Sequence, residues 1–151
     1  MNSKPRSQSN LAALDAVFED RQGEWWDSFY SNRGRPLTAG SYDLIYDSGC
    51  FHHMPPNRRS PYVELVAGAL KPGGQFVMTC FRPEGGSGFS DDDVYERKTL
   101  GGGLAYTGTQ LQETGSGPLK ILELRQMEQP PEGSKLFGLS CVWALRAQRE
   151  A

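Results

Sequence analysis

This 151-residue chain has no apolar run of the roughly 18 residues that would cross a bilayer. It also lacks an excess of charge of one sign. With 16 Lys+Arg against 18 Asp+Glu, its net charge of −2 creates no field that would gather phosphates or anionic lipid. Neither nucleic acid nor a membrane is therefore expected as a partner. Cysteine is sparse: Cys50, Cys80 and Cys141 are odd in number and widely spaced, which predicts thiols in a reducing compartment rather than a disulfide framework. Residues 1–10 are polar and have no apolar middle of a secretory signal, so the expected location is the cytoplasm. A chain of this length buries roughly 68–70% of its unfolded surface as one domain. A core without disulfides or structural metal is thus within reach.

What is present divides the chain into three stretches. Residues 1–10, Pro- and Ser-containing, predict a disordered lead-in. Over 11–36, Leu11, Leu14, Val17, Phe18, Trp25, Trp26, Phe29 and Tyr30 recur at helical spacing, with Gly23 between two short helices. This is an aromatic helical arm. Residues 37–151 read as an α/β domain. Residues 42–47 form a short strand, and 56–70 an amphipathic helix with Tyr62, Leu65, Val66, Ala69 and Leu70 on its apolar stripe. Lys71-Pro72-Gly73-Gly74 ends that helix, and 75–81 is a second strand parallel to the first. Ser90 followed by Asp91-Asp92-Asp93 marks a helix start. Residues 109–113 suit a helical turn, 119–127 an edge-type strand and 136–145 an apolar strand antiparallel to it.

Candidate chemistry concentrates in Asp47-Ser48-Gly49-Cys50-Phe51-His52-His53, beyond the end of the first strand, where open α/β sheets bind ligands. A metal reading would use Cys50, His52 and His53, but no second ligand cluster accompanies them. A Cys–His nucleophile needs side chains that face each other, which neighbours on a loop need not do. Two readings remain: a helix-entry loop with a buried aromatic, or a small-molecule site in which a histidine handles a proton. Gly85-Gly86-Ser87-Gly88 looks like a phosphate cradle, but three aspartates follow it and the Gly-Lys-Ser/Thr ending is missing. A flexible loop is the better reading. The aspartates in turn read as a helix N-terminus rather than a magnesium site. Trp25 and Trp26 serve equally as core filler or as a cover for a flat ring or a sulfonium.

Taken together, YDLIYDSGCFHHMPP with its helix, LKPGGQFVMTCF, the Gly-rich loop with DDDVY, GGLAYT, ILELRQMEQPPEG and LFGLSCVWAL resemble the C-terminal half of a class I S-adenosylmethionine-dependent methyltransferase. The likeness is nearest to the tellurite-resistance and thiopurine methyltransferase-like group, whose N-terminal aromatic segment EWWDSFYSNRGRP also resembles. The resemblance implies a truncated Rossmann-like core: a small mixed sheet of four strands in the order 42–47, 75–81, 136–145, 119–127, its last strand antiparallel, with flanking helices. It also implies S-adenosyl-L-methionine as cofactor and a small-molecule methyl acceptor. Trp25, Trp26, Tyr30, Asp47, Gly49, Cys50, Phe51 and Arg59 would line the cofactor, and His52 or His53 would take a proton from the acceptor.

One block of the family is missing. No strand ends in a D-x-G-x-G-type turn, and no strand-end acid for the ribose precedes Asp43. Roughly three βα units of such a doubly wound sheet are absent between Pro36 and Ser41. Impaired donor binding is the expectation, with a non-catalytic interaction protein or a remnant as alternatives. The missing neighbour leaves strand 42–47 on an open edge, which predicts a homo-oligomer or a partner that covers it.

Overall fold

Alternating and apolar runs do become strands, but several boundaries move. The computed structural model describes residues 37–151. The expectations for 1–10 and 11–36, Trp25, Trp26 and Tyr30 among them, lie outside the described residues. Strand β1 (Tyr42–Ser48) leads through two single turns of 3-10 helix, Phe51–His53 and Pro56–Arg58, into helix α1 (Arg59–Ala69). Strand β2 (Leu70–Phe81), helices α2 (Asp91–Arg97) and α3 (Gly108–Gly115), and strands β3 (Leu119–Gln126) and β4 (Val142–Arg149) follow. The sheet order is β1-β2-β4-β3, as the sequence implies. β1 runs parallel to β2, and β4 runs antiparallel to both neighbours.

Lys71-Pro72-Gly73-Gly74 does not lie between helix and strand. Leu70 already pairs with Tyr42, and the register then jumps so that Leu44 pairs with Gln75. The four residues form a bulge inside β2, where Gly73 takes φ 77°, open to glycine at little steric cost. The helix stripe also shifts. Val63, Val66, Ala67 and Leu70 are buried at i, i+3, i+4, i+7 spacing, whereas Leu65 is 54% exposed. Pro61 is tolerated because it lies in the first turn, where no intrahelical N–H bond is lost.

The largest displacement is β4, expected over 136–145 and found over Val142–Arg149. A turn intervenes, in which Val142 N–H donates to the Leu139 carbonyl. Gly138 passes so near Glu128 that a Cβ would sit 2.0 Å from its carbonyl oxygen. Leu136 and Phe137, expected to open an apolar strand, are 76% and 70% exposed. Helix α3 begins earlier than expected because Thr107 and Gln110 form a reciprocal capping box that satisfies two orphan N–H groups.

Among the described residues the core cluster gathers on the face of the sheet covered by α1 and α3. Phe76 and Met78 of β2 and Leu145 and Ala147 of β4 meet Val63 and Val66 of α1 and Leu111 of α3. Between them remains an apolar void of about 20 Å³. Among the described residues no helix is long and apolar enough to cross a membrane. Removing the Leu111 side chain, 2% exposed, deletes core contacts, and Leu111→Ala is expected to lower stability by about 2–5 kcal/mol. Leu136→Ser should change it by no more than about 0.5 kcal/mol in the same urea titration, because that side chain already faces water.

Candidate functional site

β1 and β2 run parallel and end together at Ser48 and Phe81, and the expected site loop leaves from this end. Its geometry is set by a buried carboxylate. Asp47 is 5% exposed and accepts twice, from the Cys50 backbone N–H at 2.6 Å and from the Tyr62 hydroxyl on α1. Such charge-assisted bonds compensate the desolvation of the acid. Gly49 turns the chain at φ 80°, and a Cβ there would meet His52 Cε1 at 3.2 Å.

The loop then drops Phe51 into the core. Its ring is 1% exposed and lies 5.5 Å from Tyr62 and 5.1 Å from Tyr106, centroid to centroid. His52 follows it inward. Its Nδ1 accepts the Phe81 backbone N–H at 3.2 Å, its carbonyl accepts from Leu104 at 2.8 Å, and its ring stacks on Phe81 at 3.9 Å. Burial, and secondarily the neighbouring His53, push its pKa down to about 4. The imidazole is therefore neutral near pH 7, and acceptance at Nδ1 places its proton on Nε2. His53 is exposed and meets His52 edge-on at 4.5 Å.

Arg59, in the first turn of α1, is a structural clamp. Its Nε donates to the Tyr106 hydroxyl at 3.0 Å, and its two terminal nitrogens make a bidentate pair with Asp91 at 3.0 and 2.9 Å. The guanidinium also lies 4.9 Å from the Tyr106 ring centroid. Burial pushes the Tyr106 hydroxyl up, although Arg59 opposes the rise. Asp91 is thereby occupied, and Ser90 with Asp93 forms the capping box of α2. The bonds from Ser90 hold the Asp93 carboxyl below the ordinary range. The acidic triplet is a helix start.

The structure thus brings Asp47, Gly49, Cys50, Phe51, His52, His53 and Arg59 to one end of the sheet. Tyr62, Tyr106 and Asp91 are the partners that sequence reasoning missed. Tyr62 was noted only for its place on an apolar stripe, and GGLAYT only as a block of resemblance. Cys50 is exposed, while Cys80 is buried in β2, where burial and then the Asp47 charge push its thiol up to about 12. Among the described residues no group of three or more His, Cys, Asp or Glu side chains could hold a metal ion. Both Asp47 oxygens, the guanidinium of Arg59 and the Nδ1 of His52 are engaged by the protein itself.

Two measurements check this wiring. Tyr62→Phe removes one donor from a buried charge and should cost about 1.5–3 kcal/mol in a denaturant titration at neutral pH. For His52, the unfolded imidazole takes up its proton near pH 6.5 and the folded one only near 4. Between those values the unfolded state binds more protons, so stability falls as pH drops from 6.5 toward 4. In the folded protein the NMR shift of the His52 Cε1 proton should stay flat from pH 7.5 to about 5.

No protein-family model matches the chain, and no curated protein matches it by sequence. Solved structures do match by fold. A SAM-dependent methyltransferase from Methanosarcina mazei aligns at 15% identity with a TM-score of 0.53, covering 78% of this chain and 63% of that one. An S-adenosylmethionine-dependent methyltransferase from Mesorhizobium loti aligns at 18% identity and a TM-score of 0.54, covering 76% and 65%. A structure bearing on conversion of a disulfide bond into a thioacetal group during echinomycin biosynthesis gives 17% identity, a TM-score of 0.52, and coverage of 76% and 52%. The chain spans between 52% and 65% of the length of these proteins. At such identities the likeness is one of fold: a Rossmann-like α/β architecture with a four-stranded mixed sheet, shared with these two methyltransferases.

Proposed function

We propose that this chain is a methyltransferase-type protein of the tellurite-resistance and thiopurine methyltransferase-like group, cytoplasmic, and directed at a small nucleophilic acceptor. Its hold on S-adenosyl-L-methionine is impaired. The fold likeness supports the first part. One observation carries the second: at the strand ends where α/β sheets bind ligands, Asp47, Arg59 and His52 turn their polar atoms to other residues of the chain. The missing D-x-G-x-G-type turn and ribose-binding acid between Pro36 and Ser41 point the same way.

Within this reading the two histidines have different work. His52 holds the loop to β2, and His53, exposed at the same end, is the one assigned to take a proton from an acceptor. The acceptor classes compatible with that role are a thiol, a selenium or tellurium oxyanion, or another small nucleophile. Trp25, Trp26 and Tyr30 keep their proposed place as a cover for the donor.

Calorimetry with S-adenosylhomocysteine tests the impairment. Two absent charge-assisted hydrogen bonds at about 1.5–3 kcal/mol each weaken binding by roughly 10²–10⁴-fold. No heat is expected at micromolar ligand. A saturable micromolar titration would overturn the proposal.

A further inference from the structure

We infer that the outer edge of β1 is the contact through which two copies of this chain join, antiparallel, into one continuous sheet. Among the described residues β1 and β3 are the two edges of the sheet, and of these β3 carries the protecting features. β3 has a bulge between Ile121 and Glu123, and charges line it: Glu123 pairs with Arg125 at 2.8 Å and with Arg146 of β4 at 3.5 Å. Bulges and charges are what keep an edge from recruiting another strand. From Leu44 to Ser48, β1 has neither lysine nor proline, and its register with β2 is unbroken.

The direction of its hydrogen bonds follows from one contact. Gly49 N–H donates to the Thr79 carbonyl of β2. With a period of two, Asp47 and Ile45 also turn toward β2, and the backbone groups of Leu44, Tyr46 and Ser48 point away from the sheet. The same alternation sets the side chains of Leu44 and Tyr46 on the face opposite α1 and α3, where they are 58% and 59% exposed.

The occupant that suits this edge is the edge itself. A two-fold axis at Tyr46 pairs Tyr46 with its own copy and Leu44 with Ser48 of the partner, in both directions. This register keeps every hydrogen-bonded pair within the unbroken segment and sets no aspartate opposite another. Neither acid opposes the approach. Asp43 already has Lys71 at 2.8 Å, and Asp47 is buried under its two donors. A net charge of −2 leaves little repulsion between whole chains. Antiparallel pairing also carries the partner's Ser41 end to the Gly49–Cys50 loop, so each candidate site gains a wall from the other copy.

Sedimentation of the full chain at about 100 µM should give twice the chain mass, falling to one chain mass on dilution. Tyr46→Lys sets two ammonium groups against each other at the axis and should raise the dissociation constant about tenfold or more. The same change on the defended edge, Leu122→Lys, should leave it unchanged. Circular dichroism of Tyr46→Lys should match the parent, since residue 46 faces water in the single chain. By hydrogen exchange, the amides of Leu44, Tyr46 and Ser48 should slow as concentration rises. A single-chain mass at the highest concentration overturns the inference. So does open-ended aggregation, a dimer indifferent to Tyr46→Lys, or a dimer whose Leu44 and Tyr46 amides exchange as in the monomer.

Discussion

A carboxylate that is 5% exposed must find donors close by, and the position of Asp47 governs its whole end of the sheet. One oxygen draws back the Cys50 N–H and forces the tight descent through Gly49. The other takes the hydroxyl of Tyr62 and so fixes α1 against β1. Once the chain has turned, Phe51 falls between Tyr62 and Tyr106, and His52 reaches the backbone of Phe81. Arg59 then ties Tyr106 and the start of α2 to the first turn of α1. Each link follows from leaving as few buried polar groups as possible without a partner. The result turns the polar atoms of Asp47 and the Nδ1 of His52 inward and leaves Cys50 and His53 exposed.

Much of this architecture was legible beforehand, because strand–helix–strand with glycine punctuation leaves few topologies. The parallel first pair and the Ser90 cap rest on such local signals, while the sheet order followed from the family resemblance. Two of the differences arise because hydrophobicity alone does not decide burial. Leu136-Phe137 is as apolar as any strand in the chain, yet the approach of Gly138 to Glu128 and the turn at Leu139 send the backbone elsewhere. Leu65 was assigned to the helix stripe beside Val66, although only the phase of Val63 and Ala67 faces the sheet. The capping box at Thr107 and Gln110 was visible as a T-x-x-Q spacing and was passed over.

For the candidate site, sequence placed Asp47 to His53 in one segment at the end of β1 and could not say which way they face. Asp47, His52 and Arg59 have the chemistry of ligand-binding groups, and in the fold each is held by other residues of the chain. Their partners lie 15, 29 and 47 or 32 positions away. Such pairings are invisible to motif spacing. Charge at the sheet edges is uneven too: β3 is bulged and ionic at Glu123, whereas β1 from Leu44 to Tyr46 is apolar with an unbroken register.

The order of strands has a consequence for how the molecule is made. β4 lies inside the sheet, between β2 and β3, yet it is the last of the four to be synthesised. Until residues 142–149 emerge from the ribosome, β2 and β3 have no strand to join them, and Phe76 and Met78 lack their in-sheet neighbours Ala147 and Leu145. Closing the sheet therefore waits on the strand made last, and a pairing as distant in sequence as Gln75 with Gln148 is slow to form.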